Sequence, residues 1–201
     1  MSTLTEISET LQAGRAKLIK TLIPQALEEG ILAGMEVVGR RFKANEIFVP
    51  EVLVAARAMS VGAELLKPYL AESGVTSKGK VVLGTVKGDL HDIGKNLVRM
   101  MLEGKGLTVI DLGVDVPPEK FVDTAIEQDC GVICCSALLT TTMPMMEEVV
   151  HKAEEAGVRD KIKIMVGGAP VTEAFCRSIG ADVYTVDAAS CADAAVQLLA
   201  C

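Results

Sequence analysis

The chain has no tryptophan, four phenylalanines and two tyrosines in 201 residues, and a formal net charge of −7. Few stacking platforms on an acidic surface argue against nucleic acid as a partner. No apolar run approaches the roughly 20 residues that cross a bilayer, so no membrane association is expected. Residues 1–6 lack the basic stretch and apolar segment of a secretory signal, and a cytoplasmic location is expected. The six cysteines, Cys130, Cys134, Cys135, Cys176, Cys191 and Cys201, form no C-x-x-C pair and no paired zinc spacing. They read as free thiols in a reducing compartment, with Cys134 and Cys135 as small buried hydrophobes in an apolar run. Histidine is scarce too: only His91 and His151 occur. A metal centre built from several imidazoles is therefore excluded.

What is present falls into two halves of different periodicity. Over residues 1 to 74, Leu18, Leu22, Ile23, Leu27, Ile31, Leu32 and Met35 recur at three- and four-residue steps, which predicts helix. A further helix is expected over about 30–44. The next starts at Pro50, with Val52, Leu53, Ala56, Met59, Ala63 and Leu66 on one face before Pro68. These elements make an all-α bundle. A polar linker ends over 75–79. From 80 to 201 apolar strands alternate with helices. Strands are expected at 80–86, 107–112, 131–135, 162–166 and 182–186, and helices at 94–104, 118–128, 143–157, 171–179 and 188–200. That alternation predicts an α/β, doubly wound, five-stranded parallel sheet of Rossmann or flavodoxin-like type.

In a 2-1-3-4-5 strand order the switch point lies between the first and third strands, and ligands bind beyond the strands' carboxyl ends there. The loop after the first strand carries Asp89, His91, Asp92, Ile93 and Gly94. The loop after the third carries Ser136, Leu138, Thr140, Thr141 and Thr142, and the loop after the fourth carries Gly167 and Gly168. An imidazole, a row of hydroxyls and a glycine pair would line one crevice. Each feature also has an ordinary reading: a structural histidine, hydroxyls that cap a helix, a glycine turn.

Three motifs at fixed separations go further. Asp89-Leu90-His91-Asp92-Ile93-Gly94 is followed by 41 positions, 95–135, then Ser136-Ala137-Leu138, 28 more positions, 139–166, and Gly167-Gly168. This pattern resembles the cobalamin-binding module of methionine synthase and the corrinoid proteins of methyltransferase systems. Gly39-Arg40-Arg41-Phe42 and Glu46-Ile47-Phe48-Val49-Pro50-Glu51 resemble the helical cap of the same family, although the first helical region is shorter than such caps usually are.

The resemblance implies a cobalamin or related corrinoid, held base-off and His-on and methylated on cobalt during turnover. His91 would be the lower axial ligand, Asp89 would accept a hydrogen bond from its other ring nitrogen, and Thr142 would stand where the relay ends in a serine. Ser136, Thr140, Gly167 and Gly168 would line the slot for the displaced nucleotide tail, with Tyr184 and Asp187 at its far end. Gly94 would let the next helix start beside the corrin. Phe42, Phe48 and Val49 of the cap would face the upper side or simply pack between helices.

The function so implied is a methyl carrier rather than a stand-alone enzyme. It would take a methyl group from a substrate:corrinoid methyltransferase and deliver it to a second methyltransferase that uses tetrahydrofolate or coenzyme M, with a reductive activator as a third partner. A cobalamin-dependent regulator, a carbon-skeleton mutase module and a non-corrinoid metal site at Asp89, His91 and Asp92 are the alternatives. His151, on a helical segment, is expected at the surface.

Overall fold

The computed structural model describes residues 27–73 and 77–200, the side chains of 27–29 and 63–73 excepted. Leu18, Leu22 and Ile23, as well as Cys201, lie outside the described residues. The chain divides into two compact units, Met1–Thr76 and Ser77–Cys201.

The described part of the first unit is helical apart from the turn over 44–48. A π-type turn over Leu27–Leu32 runs into α1 (Ala33–Lys43), and α2 spans Val49–Ser73. Asn45, with φ of 55°, reverses the chain between them. Glu51 then fixes the start of α2, its carboxylate accepting the Phe48 N–H at 3.0 Å in the manner of a capping box. Val52, Ala56 and Met59 are buried as the spacing predicts, whereas Leu53 is exposed, one step off that face. The helix also continues past Pro68. Proline removes one amide donor, which costs about 3 kcal/mol in a helix interior, but one lost bond does not end a helix of this length.

The second unit is the expected sheet. The strands are β1 (Lys80–Thr85), β2 (Thr108–Asp111), β3 (Val132–Ser136), β4 (Lys163–Gly167) and β5 (Val183–Tyr184). They pair in the order β2-β1-β3-β4-β5, all parallel. Between and after them run α3 (Ile93–Gly104), α4 (Pro118–Glu127), α5 (Pro144–Glu155), α6 (Glu173–Ser178) and α7 (Ala188–Leu199). Val81, Val82, Leu83, Val132 and Ile133 are each at most 1% exposed, the signature of a sheet covered on both faces.

Alternation along the strands sorts the core. Val82, Ile133, Cys135, Ile164 and Val166 cluster with Phe121 and Val122 of α4 and Met146, Val149 and Val150 of α5. On the other face α3 packs beside α7. Gly84 is where α4 comes closest: a Cβ there would lie 2.8 Å from the Phe121 ring, which is fully buried. Burying such a ring contributes roughly 1.5–3 kcal/mol. Proline at the first position starts both α4 and α5, and Asp187 caps α7 by accepting the Ser190 N–H at 2.7 Å.

Candidate functional site

The sheet register brings the expected loops to one level. Thr85, at the end of β1, pairs with Ser136 at the end of β3, and Ser136 pairs with Gly167 at the end of β4. The segments that follow open on the same carboxyl edge.

Asp89 is the centre of this edge. It is completely buried, and five donors converge on its carboxylate. Oδ1 takes the His91 backbone N–H at 3.1 Å and lies 2.6 Å from His91 Nδ1. Oδ2 takes the N–H groups of Leu138 and Leu139, at 2.8 and 3.2 Å, and the Thr142 hydroxyl at 3.0 Å. Burial pushes the acid's pKa up, but the bonds from Leu138, His91 and Thr142 outweigh it and hold Asp89 well below the usual carboxylate range.

An ionised carboxylate only accepts, so Nδ1 of His91 carries its proton. In the neutral ring Nε2 is then the lone-pair nitrogen. The side chain is 51% exposed, so a lone-pair nitrogen is held in a fixed tautomer at an open edge. Thr142 shows how the second loop is used. Its hydroxyl, with one proton, also lies 2.9 Å from the Leu139 carbonyl, but that oxygen already accepts the Thr142 N–H at 3.1 Å. The anionic Asp89 is the stronger acceptor. Thr142 therefore serves Asp89 rather than α5, whose N-terminus has no side-chain cap.

The other expected residues are placed as follows. Leu138 contributes its N–H and leaves its side chain exposed. Ser136 is half-buried and its carbonyl accepts the Val86 N–H at 3.0 Å. Thr140 is exposed in the turn before α5. Asp92 precedes α3 and accepts a bond from the Asn96 amide at 3.1 Å. Gly168 adopts φ of 134°, and a Cβ there would lie 1.8 Å from the Ala137 carbonyl oxygen, so only glycine fits. Asp187 caps α7, its carboxylate accepting the N–H and the hydroxyl of Ser190. Tyr184 is half-buried against the core. His151 is exposed, as expected.

Two contributors escaped sequence reasoning. Thr85, fully buried, donates its hydroxyl to the His91 carbonyl at 2.8 Å. Asp115 accepts the Gly88 N–H at 2.7 Å and donates its own N–H to the Asp89 carbonyl at 3.0 Å. Thr85 reads only as a strand residue and Asp115 as a loop residue, and no motif marks either.

The residues present fit a corrinoid. Leu90 and Ile93, 72% and 75% exposed, flank His91, and Leu138 and Leu139 are exposed on the adjoining loop. Exposed apolar side chains around a lone-pair nitrogen would suit a broad macrocycle whose metal takes a nitrogen donor. Nothing lies within 4 Å of a Cβ built on Gly94, which leaves open space at the start of α3. Among the described residues no group of three or more His, Cys, Asp or Glu side chains could hold a bare metal ion.

Two family models, both described as a B12 binding domain, match residues 79–196 and 4–67. The chain belongs to the B12-binding family. It is 44% identical over 177 residues to dimethylamine corrinoid protein 1 of Methanosarcina acetivorans, covering 88% of this chain and 83% of that one. A corrinoid protein of Desulfitobacterium hafniense is 41% identical over 211 residues, covering 98% and 96%. Among solved structures, a cobalamin-binding protein from Desulfitobacterium hafniense superposes with a TM-score of 0.74 at 32% identity, covering 98% of this chain and 96% of that one. The methanol:cobalamin methyltransferase complex from Methanosarcina barkeri gives 0.78 at 32% identity, covering 96% of this chain and 78% of the matched one. No helix among the described residues is long and apolar enough to cross a membrane.

Proposed function

We propose that this B12-binding protein is a corrinoid methyl carrier, and that His91 is the lower axial ligand of its cobalt in the base-off, His-on mode. The observation that carries this reading is the Asp89 network, which protonates Nδ1 and presents Nε2 at an open, apolar-flanked edge. When bound, the corrinoid supplies a cobalt that accepts a methyl group and gives it up. The chain's own residues do the rest. Asp89 fixes the tautomer, orients the ring and strengthens its donor nitrogen. Leu138, Leu139 and Thr142 hold Asp89 ionised. Ser136, Thr140, Gly167 and Gly168 line the slot for the nucleotide tail, and Gly94 keeps α3 clear of the corrin.

The relatives favour a carrier over a regulator, since they are named as corrinoid proteins of dimethylamine and trimethylamine, and one structural match is a methyltransferase complex. The partners are accordingly a substrate:corrinoid methyltransferase, a second methyltransferase that passes the group to tetrahydrofolate or coenzyme M, and a reductive activator. Methylamines are the donor class to test first. Titrating the apoprotein with methylcobalamin while recording absorption tests the reading. A shift from the spectrum of the free cofactor, lost in His91→Ala with some corrinoid retained, is the expected result; no binding by the unmodified chain would overturn it.

A further inference from the structure

The Asp89 carboxylate is gripped from the β3 side, by Leu138, Leu139 and Thr142. Its backbone is gripped from the opposite side, by the segment after β2. Thr85 N–H donates to the Gly113 carbonyl and Val116 N–H to the Thr85 carbonyl, both at 3.0 Å, and Val86 bridges Val116. Parallel pairing thus continues beyond the strand ends to Val116. Asp115, one position earlier, adds a two-point clasp, with the Gly88 N–H on the Asp115 carboxylate at 2.7 Å and the Asp115 N–H on the Asp89 carbonyl at 3.0 Å. Both partners have left-handed backbones, φ of 83° at Gly88 and 54° at Asp115. Glycine adopts that conformation freely, and aspartate is one of the few other residues that tolerate it.

We propose that Asp115 is a positioning residue for the axial histidine: by clasping Gly88 and Asp89 it sets where the His91 imidazole stands and how firmly it stays on cobalt. This rests on the corrinoid reading above. His91 hangs from Asp89 through both its backbone N–H and its ring, so a displacement of the Asp89 backbone is passed to Nε2. A metal bond tolerates only about 0.5 Å of such error. The side-chain half of the clasp is the part that substitution can remove.

Asp115→Gly and Asp115→Asn separate that acceptor from the backbone conformation. Both residues accept the positive φ, and only asparagine keeps an oxygen for the Gly88 N–H. Each purified full-length variant is titrated with methylcobalamin, and His-on and His-off absorption are resolved beside a thermal melt. D115G is expected to bind about tenfold more weakly, the lower end of what outer ligands of a metal site contribute, and to show a larger His-off fraction. D115N should restore the unmodified spectrum. Asp115→Ala, which also lacks the acceptor, replaces D115G if the latter fails to melt cooperatively. A D115G spectrum and affinity equal to the unmodified protein's, or equal losses in D115G and D115N, would overturn the role of Asp115 alone. Absence of any His-on spectrum in the unmodified protein would instead remove the reading on which it rests.

Discussion

Thr142 Oγ1 stands 3.0 Å from Asp89 Oδ2 across 53 positions of sequence, and through that bond the loop after β3 acts on the histidine that follows β1. Thr142 is 7% exposed, so its hydroxyl has no easy replacement by water. Thr142→Val keeps the shape, including the methyl group that would lie 3.4 Å from a Cβ on Gly88, and deletes the proton. It should destabilise the apoprotein by about 1.5–3 kcal/mol, the usual contribution of a hydrogen bond to a charged group. Thr142→Ser should recover most of that. Urea unfolding of the two variants beside the unmodified chain measures the difference.

The carboxylate itself should matter more. In Asp89→Asn one side of the amide still accepts, but its NH2 must face donors, either the His91 pair or the Leu138, Leu139 and Thr142 set. A loss of about 1–3 kcal/mol at neutral pH is expected for each buried donor left facing the NH2 without an acceptor. The pH dependence has a definite sign. Asp89 is held below its ordinary pKa, so its contribution is fully present above the unfolded value near 3.9 and is lost as pH falls through the folded value. The gap between the native chain and D89N should therefore be constant from pH 7 to about 5 and narrow below about 4, as read by denaturant melts across that range.

Gly168 and Gly94 should behave oppositely. Gly168→Ala forces a Cβ to 1.8 Å from the Ala137 carbonyl oxygen at φ of 134°, and the obstacle is backbone that cannot swing aside. A loss beyond about 4 kcal/mol, or no folded protein, is expected. Gly94→Ala meets nothing within 4 Å and lies in the first turn of α3. It should raise apoprotein stability by roughly 0.5–1 kcal/mol through helix propensity, while weakening corrinoid binding if that space is the cofactor's. Thermal melts with and without methylcobalamin separate the two effects.

These residues show what sequence alone could convey. The central strands β1, β3 and β4 were legible because they are short apolar runs bounded by polar turns, and that pattern survives in the buried sheet. His91, Asp89 and Gly168 stood out through their spacing. Asp115 and Thr85 did not, because their partners are a backbone amide and a backbone carbonyl, and no side-chain pattern records where those groups point. Asp187 carries a related ambiguity: an aspartate after a strand can contact a ligand or cap a helix, and only the structure reveals the Ser190 N–H that it caps. Pro68 shows the limit of local signals, since the helix around it outlasts the loss of one donor.

The last prediction concerns the helix that follows His91. Lys95, 3% exposed on α3, places Nζ 2.7 and 2.6 Å from the two carboxylate oxygens of Asp111 at the end of β2, and Asp111 also accepts the Gly113 N–H at 2.9 Å. The pair ties the start of α3 to the strand whose continuation carries Asp115. Asp111→Ala leaves a buried ammonium with only the Asn96 side chain beside it, at 3.0 Å, and should cost about 3–5 kcal/mol. Lys95→Met removes the charge that needs a partner while Asp111, less buried, keeps Gly113 and has Arg99 3.9 Å away, so its cost should be smaller. The double variant should be more stable than D111A alone, because no buried cation is then left unpaired. A double-mutant cycle by urea unfolding gives the coupling directly. Strictly additive losses would mean that the two side chains act independently despite their contact.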